Sequence, residues 1–106
     1  MDMEATVMEL IINAGESRSC AMQALMAAKQ GDWEEAEALL KQAEQAAKIA
    51  HGVQTQLIGL DEGEGKVPVN LIMLHAQDHL MTAMLARELI AELMEIHKKL
   101  QSAGIE

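Results

Sequence analysis

Phenylalanine and tyrosine are absent from this 106-residue chain, and Trp33 is its single tryptophan. Strands favour aromatic and β-branched side chains, so a β-rich fold is disfavoured. Pro68 is the single proline, which leaves long stretches free of a helix breaker. In place of these residues stand nine methionines and a heavy load of alanine and leucine. Those are helix formers and pliable packing residues, and the expectation is an all-α fold. Basic residues are also scarce. Eight Lys and Arg against seventeen Asp and Glu give a formal charge of −9. Such a surface repels phosphate backbones and anionic lipid heads, so the reading is no nucleic acid and no membrane-surface partner. Cys20 has no second cysteine to pair with, which fits a reducing compartment. No apolar run approaches the ~20 residues needed to span a bilayer. Met1-Asp2-Met3-Glu4 lacks the basic region of a secretory signal. The expectation is one domain over residues 1–106, cytoplasmic and without direct membrane insertion.

The apolar pattern reads as three helices. The first spans about Met3 to Lys29, with Val7, Leu10, Ile11, Ala14, Ala21, Leu25 and Ala28 at helical spacing. Its centre is small: Ala14, Gly15, Ser17, Cys20 and Ala21. A glycine inside a helix costs about 1 kcal/mol against alanine, and close approach of another helix would account for it. Gly31 suits a C-terminal cap, and Asp32 with Glu35 resembles a capping box. The second helix then runs to about Ile58 along a stripe from Ala36 to Leu57, with Gln54 beside it. Residues 59–67, GLDEGEGKV, read as a flexible loop. They lack the ligand spacing of an EF-hand, and their acids would repel a phosphate. Pro68 is expected in the first turn of a third helix reaching about Gln101.

That third helix is apolar in nearly every direction between Val69 and Leu93. A helix of this kind must be covered all round, and two short helices cover one side only. A homo-oligomer is therefore expected. His75-Ala76-Gln77-Asp78-His79 interrupts the apolar sequence, and positions three and four apart share a face, so His75, Asp78 and His79 project together. Asp78 also lies on a seam with Leu71, Leu74, Met81 and Leu85 at the spacing of an inward bundle face. A carboxylate there needs a partner, a proton or a cation. Three readings stay open on spacing alone. The cluster could be structural. It could hold a metal, since histidines at i and i+4 are a frequent ligand pair, although a third ligand is missing. Or a neutral imidazole could act as a nucleophile and carry a transferable phosphoryl group.

Residues 75–97, HAQDHLMTAMLARELIAELMEIH, resemble the last helix of the enzyme IIA components of the lactose/cellobiose/N,N'-diacetylchitobiose branch of the sugar phosphotransferase system. LIINAGESRS at 10–19, AAKQGDWEEA at 27–36 and VQTQLI at 53–58 resemble the same family. The resemblance implies an antiparallel three-helix bundle protomer that assembles as a homotrimer. It implies that His75 accepts a phosphoryl group from the phosphocarrier protein HPr and passes it to a cysteine of enzyme IIB. It also implies that Asp78 of three subunits shares a divalent cation, Mg2+, at the trimer axis. Gln77, His79 and Gln54 are supporting residues in this reading. A metal-binding or purely structural helical oligomer without phosphotransfer is the alternative. The transported disaccharide, of cellobiose, diacetylchitobiose or lactose type, is not fixed by these residues.

Overall fold

The structure is a computed structural model that describes residues 2–106. Three helices account for most of them: α1 (Met3–Lys29), α2 (Trp33–Asp61) and α3 (Leu71–Ser102). Each starts at a side-chain cap. The carboxylate of Asp2 accepts the Ala5 N–H, that of Asp32 accepts the Glu35 N–H, and the Asn70 amide oxygen accepts the Met73 N–H. These bonds satisfy donors that the first turn leaves unpaired. α1 stops as its sequence predicts. Gly31 takes a φ of +79°, the Gly31 N–H bonds the Ala28 carbonyl and the Asp32 N–H bonds the Ala27 carbonyl. This double closure needs a left-handed residue, and glycine adopts that conformation without strain.

Two boundaries differ from expectation. α2 continues one turn beyond Ile58, through Gly59 and Leu60 to Asp61. The Asp61 carboxylate accepts the N–H groups of Gly65 and Val67, so the acid that looked like loop ties the turn down instead. Pro68 lies ahead of α3 rather than in its first turn. Asn70 caps the helix with its own side chain, and an N-cap bond outweighs a tolerated proline.

The helices run up, down and up. One buried cluster joins Leu10 and Ala14 near the start of α1, Val53 and Leu57 near the end of α2, and Met73, Ala76 and Leu80 near the start of α3. A second joins Ala24 and Ala28, Ala36 and Ala43, and Ile90 and Met94 at the other end. The small centre of α1 is explained in part by α2. Ser17 is fully buried and its hydroxyl donates to the Ala43 carbonyl at 2.9 Å, a direct approach to a neighbouring helix backbone. At the far end the Trp33 indole N–H donates to the Gln101 Oε1 at 2.7 Å, and Gln101 Nε2 donates to the Ala28 carbonyl. All three helices meet there. Among the described residues no helix is long and apolar enough to cross a membrane.

α3 carries two apolar stripes on opposite sides. Met73, Ala76, Leu80, Ala83, Ile90 and Met94 are buried against α1 and α2. Leu71, Leu74, Met81, Leu85, Leu89, Leu93 and Ile96 are exposed, Leu71 at 84%. α1 and α2 cover one side of α3 and leave the other bare, as its sequence required.

Candidate functional site

His75 and His79 sit one turn apart in the first half of α3. Their spacing of four residues stacks them along one edge of the helix. The rings are nearly parallel, 14° apart, with centroids separated by 5.9 Å. His75 is exposed, while His79 is half-buried and turned towards α1. There it meets Gly15: a Cβ built on that glycine would lie 3.4 Å from His79 Nε2 and within 4 Å of no other atom outside its own helical turn. The smallness expected of Gly15 is thus spent on a side chain, whereas close helix approach occurs at Ser17. Ile72, one turn before His75, lines an apolar groove of about 570 Å³ with Met3, Val7, Met8 and Met73.

Asp78 lies between the two edges of α3, on the exposed stripe. Its seam faces outward in the single chain, contrary to the inward face expected from its spacing. The reason is that α3 has two stripes of nearly equal apolarity, and α1 and α2 took the other one. The Asp78 carboxylate makes no hydrogen bond among the described residues, and only its backbone carbonyl is engaged, by the Thr82 hydroxyl at 3.0 Å. No group of three or more His, Cys, Asp or Glu side chains among the described residues could hold a metal. A single chain offers a cation one carboxylate at this position, which fits a shared ion only if further copies bring theirs.

Gln77 does not join His75. Two helical positions separate them, which turns Gln77 to the far edge of α3. There Gln54 Nε2 donates to Gln77 Oε1 at 2.7 Å across the α2–α3 groove. Gln54, expected beside the apolar stripe of α2, thus pairs with the half-buried Gln77. The histidine pair and the glutamine pair occupy opposite edges of the same turns of α3, with Asp78 between them.

Cys20 is chemically quiet. Burial pushes its thiol up to about 11, helped by the hydrogen bond it donates to Glu16 Oε1 at 3.2 Å. A thiol held protonated is a poor nucleophile and metal ligand. His75, by contrast, presents an exposed imidazole beside a second one, and Ile72 one turn before it lines the apolar groove. Neutral imidazole attacks phosphorus readily near neutral pH and releases it as readily.

The chain matches the family of lactose/cellobiose-specific IIA subunits of the PTS, the phosphotransferase system, over residues 5–98. It is 56% identical over 101 residues to the N,N'-diacetylchitobiose-specific EIIA component of Escherichia coli K12, covering 95% of this chain and 87% of that one. It is 42% identical to the lichenan-specific enzyme IIA component of Bacillus subtilis 168, with 93% and 90% covered. The crystal structure of the cellobiose-specific enzyme IIA from Bacillus anthracis superposes with a TM-score of 0.91 at 40% identity, over 96% of this chain and 94% of that one. The IIA(chitobiose) chain solved in complex with HPr from Escherichia coli gives 0.82 at 55% identity, over 95% and 98%. The chain belongs to the lactose/cellobiose-specific enzyme IIA subunits, and so is a component of a phosphoryl-transfer system.

Proposed function

We propose that His75 is the phosphoryl acceptor, loaded by HPr and unloaded onto a cysteine of the cognate enzyme IIB, in the cytoplasm, during uptake of a disaccharide of diacetylchitobiose, cellobiose or lactose type. The observation that carries this reading is the exposure of His75 on a long helix, with a near-parallel histidine one turn on. In the first step a ring nitrogen of His75 attacks phosphorus, a nitrogen–phosphorus bond forms and the donor's bond to phosphorus breaks. In the second the acceptor thiolate attacks, and the nitrogen–phosphorus bond breaks in turn. Such transfers depend mainly on in-line positioning and on charge stabilisation. The Met8 and Ile72 side chains lining the neighbouring groove supply an adaptable apolar landing for a donor protein. The complex of a 55%-identical IIA(chitobiose) with HPr supports HPr as that donor.

The bare stripe of α3 supports a homotrimer in the same proposal. Three copies packed through Leu74, Met81 and Leu85 would bury side chains that each chain leaves more than half exposed. That packing gathers three Asp78 carboxylates. Like charges brought together repel, and a hard divalent cation such as Mg2+, which takes oxygen ligands, would relieve them.

The test is incubation with phosphoenolpyruvate, enzyme I and HPr, followed by intact-mass measurement. The expected result is one phosphoryl group per chain, acid-labile and lost in His75→Ala but retained in His51→Ala. A wild-type chain that stays unmodified while HPr is phosphorylated would overturn the proposal.

A further inference from the structure

We propose that the α2–α3 groove at Arg87 binds a small organic phosphate monoester, at a site separate from the histidine pair. Arg87 stands on the inner stripe of α3, four residues after Ala83 and three before Ile90, both of them buried. Its side chain is only 22% exposed. A guanidinium carries five N–H donors and keeps its charge at any ordinary pH. Yet Arg87 donates no hydrogen bond among the described residues, and its Nε is buried without a partner. The carboxylate paired with it, that of Glu44 on α2, has Oε1 3.7 Å from Nη1, too far for a hydrogen bond. A buried donor left in this state calls for an acceptor that the chain does not supply.

The groove beside Arg87 has room for one. Glu44, Ala47, Lys48 and His51 recur at helical spacing on one face of α2, and with Met84 and Arg87 they line a cavity of about 430 Å³. Lys48 and His51 are exposed, and neither side chain has a hydrogen-bond or ion-pair partner among the described residues. Guanidinium, ammonium and imidazole donors thus meet at one space from two helices. A tetrahedral oxyanion accepts from several directions at once, whereas a flat carboxylate presents one edge, so this donor set suits phosphate. The cavity exceeds a phosphate group, and Ala47 and Met84 offer an apolar floor for an organic remainder. Glu44 opposes an anion here, and the chain's charge of −9 opposes one at long range, so the local donors must hold it. Arg87 follows His75 by twelve residues, about 18 Å along the helix. Its groove opens against α2, whereas His79 turns towards α1, so the inference does not depend on His75 as acceptor.

The experiment titrates the full chain with glucose 6-phosphate, inorganic phosphate and glucose at constant ionic strength. Calorimetry gives the affinity, and nitrogen-15 NMR follows the Arg87 Nε–H and the backbone amides. Glucose 6-phosphate should bind saturably, inorganic phosphate more weakly and glucose not at all, with shifts centred on Lys48, His51 and Arg87. Arg87→Gln should weaken glucose 6-phosphate binding about tenfold. The Arg87 stem packs in the core, so Lys48→Gln, at an exposed position, repeats the test without risk to the fold and should weaken binding as well. Glu44→Gln should tighten it, and His75→Ala should bind as the wild type does. No saturable binding, binding of glucose, or inorganic phosphate held as tightly as glucose 6-phosphate would overturn the inference. So would shifts centred on His75 or on Lys98 and Lys99, an affinity unmoved by Lys48→Gln, weaker binding in Glu44→Gln, or loss of binding in His75→Ala.

Discussion

A thiol and an imidazole illustrate how burial sorts reactive side chains. Cys20 is buried and bonded to Glu16, and its thiol is held up at about 11. In the unfolded chain it titrates at 9.0, so the folded state keeps its proton longer. The stability gained is therefore full below pH 9 and is lost as pH rises towards 11. Denaturant unfolding at pH 8, 9, 10 and 11 should show this decline in the wild type and a flatter one in Cys20→Ala. Equal slopes for the two would mean the thiol is not linked to folding. His75 is the opposite case, exposed on a helix whose inner stripe is fully buried. That Cys20 sits among small residues was legible in the sequence, and so was the motif that singles out His75. The partner of Gln77 was not, because it depends on how α2 slides against α3, and only tertiary packing sets that register.

At the scale of elements, caps decide where helices start and stop. Asn70→Ala removes the bond to the Met73 N–H and should destabilise the protein by about 1 kcal/mol, seen as a lower melting temperature. Glu62 is the single non-glycine residue with positive φ among those described, at +54°, directly after α2. Glu62→Gly should relieve that conformation and raise stability by about 0.5–1 kcal/mol. The Lys66–Glu62 pair it removes is solvent-exposed and contributes little. Opposite shifts in the two variants would support the account, and shifts of the same sign would refute it. The first helix boundary was legible because Gly31 and Asp32 signal the same break. The second was obscured by competing signals: glycines at 59, 63 and 65 suggested an early end to α2, and Pro68 suggested an early start to α3. The winning residues, Asp61 and Asn70, act through side-chain hydrogen bonds that periodicity does not reveal.

At the scale of the molecule, the proposed homotrimer rests on the bare face of α3. Leu85 is 56% exposed in the single chain. A Leu85→Glu variant should leave the helical signal intact and shift sedimentation to that of a monomer. An unchanged assembly would place the contact elsewhere. Asp78→Leu should remove repulsion between copies, leaving an oligomer that no longer weakens when divalent cations are chelated. Loss of the helical fold in that variant would contradict the outward placement of Asp78. An apolar pattern too broad for two helices to cover, and so a face left bare, was legible in the sequence. Which stripe faces outward was not, because both have core-like spacing and only the packing of α1 and α2 selects between them.

The position of the phosphorus decides the central claim. Nitrogen-15 and phosphorus-31 NMR of the chain after loading by HPr detects coupling between phosphorus and one imidazole nitrogen. That coupling should be assigned to His75 and to no other histidine. A signal on His79, His51 or His97, or phosphorus bound to no imidazole at all, would contradict the account.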